Sequence, residues 1–345
     1  MKRDSRFELL RIVAILFITL HHLLLFGADV CGYLSAFDLG SKGIAGVALN
    51  SLAVTGVSLF VMLSGWFGMH RVWRPFFRLI IVCSAFGALA FVLAEYALPA
   101  LAGETLPVKG TSLDLFSSMK FTNWWFIVHY LLLLLVSPLL EQALESISRR
   151  RMEQVLAGLL VFNLLFGFAW GYVNSSGYNV VHFVLLYLLA RYMHLFPDAP
   201  VVRSIRHFAW LIIAVCVAAI TLLFLADKDA WSPAHTPMVW NYNCPLVILE
   251  AMAIFSLFAK EPRLSPLKGG KRSPVNFVAS FVLGVYLLQS APMIVPFRNA
   301  LGRLAFDAAG YAGLLACAMV LAAMCWLLSC ALLSVLRPLL RQVGL

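Results

Sequence analysis

The sequence predicts an all-α fold, a polytopic bundle of about ten transmembrane helices. Three observations lead to this prediction. Of the 345 residues, 62% are hydrophobic and only 12% are charged. The mean hydropathy is +0.90, and the charged residues form short clusters between long apolar runs. An ordinary soluble domain has about 25% charged residues. The composition therefore excludes soluble, disordered and nucleic-acid-binding proteins, in spite of a net charge of +10.

Ten apolar runs are long enough to be spans, since a helix needs about 20 mostly apolar residues to cross a bilayer. The predicted spans are 7–26, 44–67, 75–98, 123–140, 152–172, 178–196, 208–226, 239–258, 274–296 and 310–336. The eighth is the weakest, because Asn241, Asn243 and Pro245 interrupt its start. The longest connection, 99–122, is too short to fold alone. Residues 1–345 are therefore predicted to form a single integral-membrane domain without an appended soluble domain.

The basic residues predict the orientation of the chain. With ten spans, 20 Lys and Arg residues fall on the side of the N-terminus and six on the opposite side. Under the positive-inside rule, both termini are cytoplasmic, and we expect a multi-pass protein of the cytoplasmic membrane. The first apolar run has no small-residue cleavage site and is predicted to be a span rather than a signal peptide. Cys31 and Cys244 lie near span ends, and whether they pair is open.

The first predicted helix carries an unusual polar stripe. At about 100° per residue, Glu8, Arg11, Thr19 and His22 share one face, whereas His21 lies away from it. Arg11 and His22 are roughly 16 Å apart along the axis. Ionisable residues within spans usually face the bundle interior or a wet cavity. The stripe predicts a long ligand, held by an anionic group at one end and reacting at the other. Alternatively, Arg11 snorkels to the headgroups beside Glu8, and His22 only joins two helices.

In the segment FELLRIVAILFITLHHLLLFG, an Arg and a His are separated by ten residues. This segment resembles the first helix of the acyltransferase-3 family of integral-membrane O-acyltransferases, which includes polysaccharide O-acetyltransferases, and four further segments resemble other parts of that family. Arg11 and His22 match that spacing, and His21 does not. FVMLSGWFG, which contains Ser64, resembles the Phe-x-x-Ser-Gly-aromatic end of the second helix. The Arg-x-x-Arg of the next loop corresponds to Arg71 and Arg74.

Two later segments extend the resemblance. NWWFIVHYLLLLLVSPLLE resembles a middle helix of the family, and SFVLGVYLLQS resembles a late one. The late motif often ends in a histidine, but this chain has Gln289 there. Any role of that histidine is therefore not transferred, and Gln289 is expected only to form hydrogen bonds.

The resemblance implies transfer of an acyl group, usually acetyl, from acetyl-CoA to a hydroxyl of a carbohydrate. The acceptor would be a free or lipid-linked unit of a cell-surface glycan or exopolysaccharide. Acyl-CoA would be a substrate, with no permanently bound cofactor or metal. A neutral imidazole can remove a hydroxyl proton, so His22 is the candidate general base. Guanidinium groups bind phosphates, so Arg11, Arg71 and Arg74 are candidates for contacts with coenzyme A.

Other interpretations stay open at this point. The positive-inside rule alone would also place Arg71 and Arg74 in a cytoplasmic loop. Glu8, Ser64 and Glu250 are possible supporting residues, and Glu250 could orient His22, bind an acceptor hydroxyl or pair with a Lys or Arg. A transporter of free or lipid-linked glycan is the alternative function, because buried charges suit it too. The expected partners are acyl-CoA, carbohydrate and membrane lipid, without nucleic acid, and the donor could be longer than acetyl.

Overall fold

The computed structural model describes residues 4–30, 41–102, 114–173, 175–226, 238–259 and 273–344. These ranges consist of helices and turns without a strand, which confirms the all-α prediction. Cys31 lies outside the described residues, whereas Cys244 is buried.

Fifteen α-helices lie within the described ranges. They are α1 (Ser5–Phe26), α2 (Ser41–Ala53), α3 (Gly56–Phe67), α4 (Trp73–Val92), α5 (Leu98–Ala102), α6 (Leu115–Ser118), α7 (Trp125–Leu144), α8 (Arg149–Phe162), α9 (Val180–Leu195), α10 (Pro200–His207), α11 (Ala209–Ala226), α12 (Pro245–Phe258), α13 (Pro274–Ala279), α14 (Val282–Gln289) and α15 (Val295–Gln342). The π-helical segments Leu93–Ala97 and Asn163–Ala169 continue α4 and α8.

Within the described ranges, eight helices or helix runs are long and apolar enough to cross a membrane. A ninth candidate consists of α9 and α10, which meet at a bend of 95°. The sequence predicted ten spans, and the predicted span missing from these nine candidates is 274–296. In the structure it is divided into α13, with six residues, and α14, with eight. Neither is long enough alone for a bilayer core of about 30 Å. A polytopic helical bundle is confirmed, and cytoplasmic termini stay a prediction.

Helix α1 lies at the centre of the bundle. It packs against α2, α3 and α12 to α15, and it buries apolar side chains that include Leu10, Ala14 and Ile18. Asp4 caps its first turn by accepting a hydrogen bond from the backbone N–H of Arg6, as a carboxylate favours the positive end of a helix. The 22 residues extend over about 33 Å, so the polar stripe runs through the middle of the protein.

Gly65 allows the close approach of α3 and α9. These two helices form one of the most extensive contacts in the bundle. A Cβ atom at Gly65 would overlap the backbone carbonyl of Tyr187 on α9. Backbone atoms cannot move aside as a flexible side chain can, so a larger residue would push the helices apart. This contact therefore fixes the end of α3 and the segment that follows it.

We expect Gly65→Ala to destabilise the protein by about 1–3 kcal/mol, because overpacking forces the backbone to shift. Thermal unfolding of the detergent-solubilised protein measures the effect. Gly158→Ala is the matched control, since its new methyl group would have no neighbouring atom within 4 Å. Equal melting temperatures for the two variants would contradict the close approach of α3 and α9.

Candidate active site

Two adjacent cavities open beside α1. The outer cavity has a volume of about 610 Å³ and the inner one about 270 Å³. Arg11, Leu79 and Tyr130 line both, so the cavities meet at these three side chains. Together they form a path from the N-terminal end of α1 toward its middle.

The inner cavity ends one helical turn before His22. It is lined by Ile18 on α1, by Ser64 on α3 and by Tyr130 and Tyr286. The hydroxyl groups of Ser64 and Tyr130 are 3.0 Å apart and share a hydrogen bond. Ile18 and His22 are four residues apart and hence on the same face of the helix. The inner cavity therefore approaches His22 from the side of Arg11.

Arg11 forms an ion pair and still faces the cavities. Its Nη1 atom donates to both carboxylate oxygens of Glu8, each at 2.9 Å. The Glu8 side chain is buried, whereas that of Arg11 is 34% exposed. The pairing with Glu8 is thus present, and Arg11 also lines both cavities. Thr19, also on the predicted stripe, donates to the carbonyl of Ile15 in its own helix.

The mouth of the outer cavity contains charges of both signs. Asp4 lines it together with Glu8, Arg11 and Arg71. Arg6 donates hydrogen bonds to both oxygens of Asp4, and these lower the pKa of that carboxyl below its usual value. Arg71, by contrast, makes no ion pair with any described residue. Its guanidinium is thus available to an anionic ligand.

The structure separates Arg71 from Arg74. Because α4 begins at Trp73, Arg71 lies in the non-helical segment 68–72 and Arg74 in the first helical turn. The two arginines therefore do not lie in one helical turn. Arg71 lines the outer cavity, and Arg74 is exposed without lining it.

A group of buried polar side chains holds segment 68–72 in place. The backbone N–H of Met69 donates to the hydroxyl of Tyr187 at 3.0 Å, and the Met69 carbonyl accepts from Ser137 at 3.0 Å. The Tyr187 hydroxyl donates in turn to Glu141. Arg191 donates to the other oxygen of Glu141 at 2.8 Å. Helices α7 and α9 thereby fix the backbone next to Arg71.

His22 is half-buried, and its partner is an arginine from the far end of the chain. Arg298 Nη1 lies 3.1 Å from His22 Nδ1. His22 does not line either cavity. The Nδ1 atom of the buried His21 lies 2.7 Å from Asn50 Oδ1 on α2. The two adjacent imidazoles thus contact different helices.

Two further buried residues have side chains without partners. Glu250 on α12 is 0% exposed, and its carboxylate has no hydrogen bond or ion pair to any described residue. The contact partner of His22 is Arg298 instead. Gln289 is also fully buried, and its amide nitrogen and oxygen have no partner in the described part of the chain. Its backbone carbonyl accepts a hydrogen bond from Arg298.

Sequence reasoning missed the role of three side chains at this site. Arg191 and Arg298 contributed only to the charge count across the membrane, and Glu141 was part of a motif without a function of its own. Arg298 lies in the first part of α15, before a kink at Ala309 and Gly310, and its charge in that segment was the available signal. Its partner lies 276 residues away, so no local spacing could have identified the pair.

The acyltransferase-3 family model, described as an acyltransferase domain, matches residues 4–332. No curated protein and no solved structure matches the chain.

We expect Glu141→Gln to lower the stability by about 3 kcal/mol, because it leaves the largely buried Arg191 without a counter-charge. The Arg191 side chain is only 12% exposed. The matched control is Asp307→Asn, which breaks a solvent-exposed ion pair with Arg303 and should cost less than about 1 kcal/mol. Chemical denaturation in detergent measures both. Similar losses would show that the Glu141 contacts do not hold the segment.

Proposed function

Because the chain belongs to the acyltransferase-3 family, we propose that it transfers an acetyl group from acetyl-CoA to a hydroxyl of a cell-surface glycan or exopolysaccharide at the cytoplasmic membrane. The protein is a membrane acyltransferase with several apolar spans. One observation carries the proposal of acetyl-CoA as donor and His22 as base. It is the path of two cavities, which runs from Arg71 past Arg11 to the turn before His22.

The outer cavity suits the nucleotide end of coenzyme A. Arg71 has no acidic partner there among the described residues, and a guanidinium binds phosphate oxygens through paired, charge-assisted hydrogen bonds. Arg11 lies deeper, at the junction of the cavities, where it can contact a phosphate or the start of the pantetheine arm. The inner cavity, lined largely by apolar and aromatic side chains, suits that arm and points its thioester toward His22.

His22 is the proposed general base. A carbohydrate hydroxyl is a weak nucleophile at neutral pH, and an imidazole lone pair can take its proton as the oxygen attacks. A bond forms between the hydroxyl oxygen and the thioester carbonyl carbon, and the carbon–sulfur bond breaks. The coenzyme A thiolate leaves and receives the proton from the imidazolium. The products are an ester on the glycan and free coenzyme A.

Unpaired polar groups near Arg298, the partner of His22, suit the acceptor. The amide of Gln289 and the hydroxyl of Ser290 are buried and lack hydrogen-bond partners within the described ranges. An unsatisfied buried polar group costs about 1–3 kcal/mol, and the hydroxyl groups of a bound carbohydrate would remove that cost. The base and the proposed acceptor site would then be linked through Arg298.

Release of coenzyme A tests the reaction class. The purified protein, given acetyl-CoA and the surface glycan of the host, should produce free thiol and an acetyl ester, detected by a thiol reagent and by mass spectrometry. Thiol production should depend on the glycan. A glycan transporter would move the glycan across the membrane of proteoliposomes and would release no thiol. That result would overturn the proposal.

We expect His22→Ala to abolish acetyl transfer while the folded protein stays in the membrane, because the acceptor proton then has no base. Gel filtration in detergent and radiolabelled acetyl transfer measure the two properties. His21→Ala should retain most of the transfer, since His21 contacts Asn50 and does not lie on the polar stripe. Full activity of the His22 variant would remove the assignment of the base.

Arg71→Gln should raise the KM for acetyl-CoA by about tenfold with little change in kcat, which corresponds to one lost charged hydrogen bond of roughly 1.5 kcal/mol. Initial rates at varied acetyl-CoA concentrations measure it. Arg78→Gln is the matched control, because it removes the same charge from an exposed position of α4 that lines neither cavity. An equal KM for both variants would contradict the phosphate contact.

A further inference from the structure

The guanidinium of Arg298 is buried inside the protein and makes four hydrogen bonds. Arg298 is 2% exposed and lies in the first turn of α15. Its Nη1 atom donates to the Gln289 carbonyl at 3.0 Å as well as to His22 Nδ1. Its Nε and Nη2 atoms donate to Asn299 Oδ1 at 3.1 and 2.8 Å. The ring of Phe26 lies 5.8 Å from its Cζ atom, within the range of a cation–π contact.

The chemistry of this contact fixes the proton of His22. A guanidinium carries five N–H donors and no acceptor. His22 Nδ1 must therefore accept the hydrogen bond. A neutral imidazole has one acceptor nitrogen and one N–H group, so the proton of His22 resides on Nε2. The carbonyl of Gln289 and the amide oxygen of Asn299 hold the guanidinium in the orientation that makes this contact.

The neighbouring histidine has the opposite tautomer. His21 Nδ1 lies 2.7 Å from Asn50 Oδ1, which is an acceptor. His21 therefore carries its proton on Nδ1. Two consecutive imidazoles on one helix thus present different nitrogens as bases, although their sequence environment is almost the same.

The described residues include no carboxylate that orients His22. Among the described residues, no Asp or Glu lies within ion-pair distance of His22 or Arg298. The familiar arrangement, in which a carboxylate accepts the Nδ1 proton and leaves Nε2 as the base, is therefore replaced by a cation that covers the Nδ1 lone pair.

We propose that Arg298 is a positioning residue that holds the proton of His22 on Nε2 and makes Nδ1 the nitrogen that removes the acceptor proton. The catalytic part of this inference rests on the proposed function. In the structure described here the guanidinium covers the lone pair, so neither water nor an acceptor can use it. An acceptor hydroxyl gains access to Nδ1 only by displacing Arg298 from it.

The proton transfers balance with Nδ1 as the base. The acceptor proton moves to Nδ1 as its oxygen attacks the thioester carbon, and the ring then carries a proton on each nitrogen. This imidazolium lies beside a buried guanidinium, and like charges repel strongly where little water screens them. Transfer of a proton to the departing thiolate relieves the repulsion and restores the neutral ring. Arg298 thus favours the resting state, in which it covers the Nδ1 lone pair, and it also favours release of the proton from the imidazolium.

Nitrogen NMR of the full-length protein tests the tautomers. The protein is produced with ¹⁵N-labelled histidine rings and measured in detergent micelles without substrates, and the signals are assigned with His22→Gln and His21→Gln. For His22 we expect an unprotonated Nδ1 and a protonated Nε2, and the reverse for His21. Arg298→Met should convert the His22 signals into those of a tautomer mixture. Arg303→Met, an exposed position five residues later on α15, should leave both rings unchanged.

A protonated His22 Nδ1 in the unmodified protein would overturn the inference, even if the Arg298 variant fails to fold. An unchanged tautomer in a folded Arg298→Met variant would overturn it as well. In a kinetic assay, Arg298→Met should raise the hydrolysis of acetyl-CoA without acceptor severalfold relative to transfer, because the lone pair is uncovered. An unchanged ratio of hydrolysis to transfer would contradict the inference that Arg298 covers the Nδ1 lone pair. If the unmodified protein transfers no acyl group but shows the expected tautomers, the proposed function fails and the tautomer assignment stands.

Discussion

Satisfying the polar side chains of α1 inside an apolar bundle is the constraint on which the rest of the structure depends. A polar group in this environment is costly unless it is hydrogen-bonded. Glu8 and Arg11 satisfy each other, whereas His21 needs Asn50 from α2 and His22 needs Arg298 from α15. These contacts select which helices surround α1. A bundle that met only the apolar requirement could pack in many arrangements, but few would supply a donor to one imidazole and an acceptor to the next.

The proposed donor site depends on a second set of buried contacts, which involves α3, α7 and α9. Gly65 lets α3 and α9 approach closely, and this brings Tyr187 next to the segment that follows α3. Glu141 joins Tyr187 and Arg191 into one cluster. The segment 68–72 is consequently fixed although it is not helical. A rigid backbone next to Arg71 reduces the entropy that would be lost when a ligand binds, which suits a site for a flexible, highly charged nucleotide.

The two ends of the polar stripe have different electrostatic environments. Near Arg11 the positive and negative charges are paired, and the Arg11 side chain is partly exposed. At His22 one buried cation has no acidic partner within the described ranges, and neutral oxygens hold it in place. A thioester that reaches past Ile18 would therefore enter a region of positive potential. The negative charge that develops on a carbonyl oxygen during acyl transfer is stabilised by such a region.

The sequence by itself determined the fold class, most of the spans and the polar stripe, because composition and helical periodicity are local properties. It also indicated the family through Arg11, His22 and the motif around Ser64. Tertiary structure decided what those residues contact. The break of the predicted span 274–296 into two short helices, the start of α4 at Trp73 and the pairing of His22 with Arg298 all depend on packing between distant segments. The physical reason is that hydropathy measures the free energy of transferring each side chain out of water, which depends on that residue alone. The position of a buried polar group depends instead on a hydrogen-bond partner that can lie anywhere in the chain.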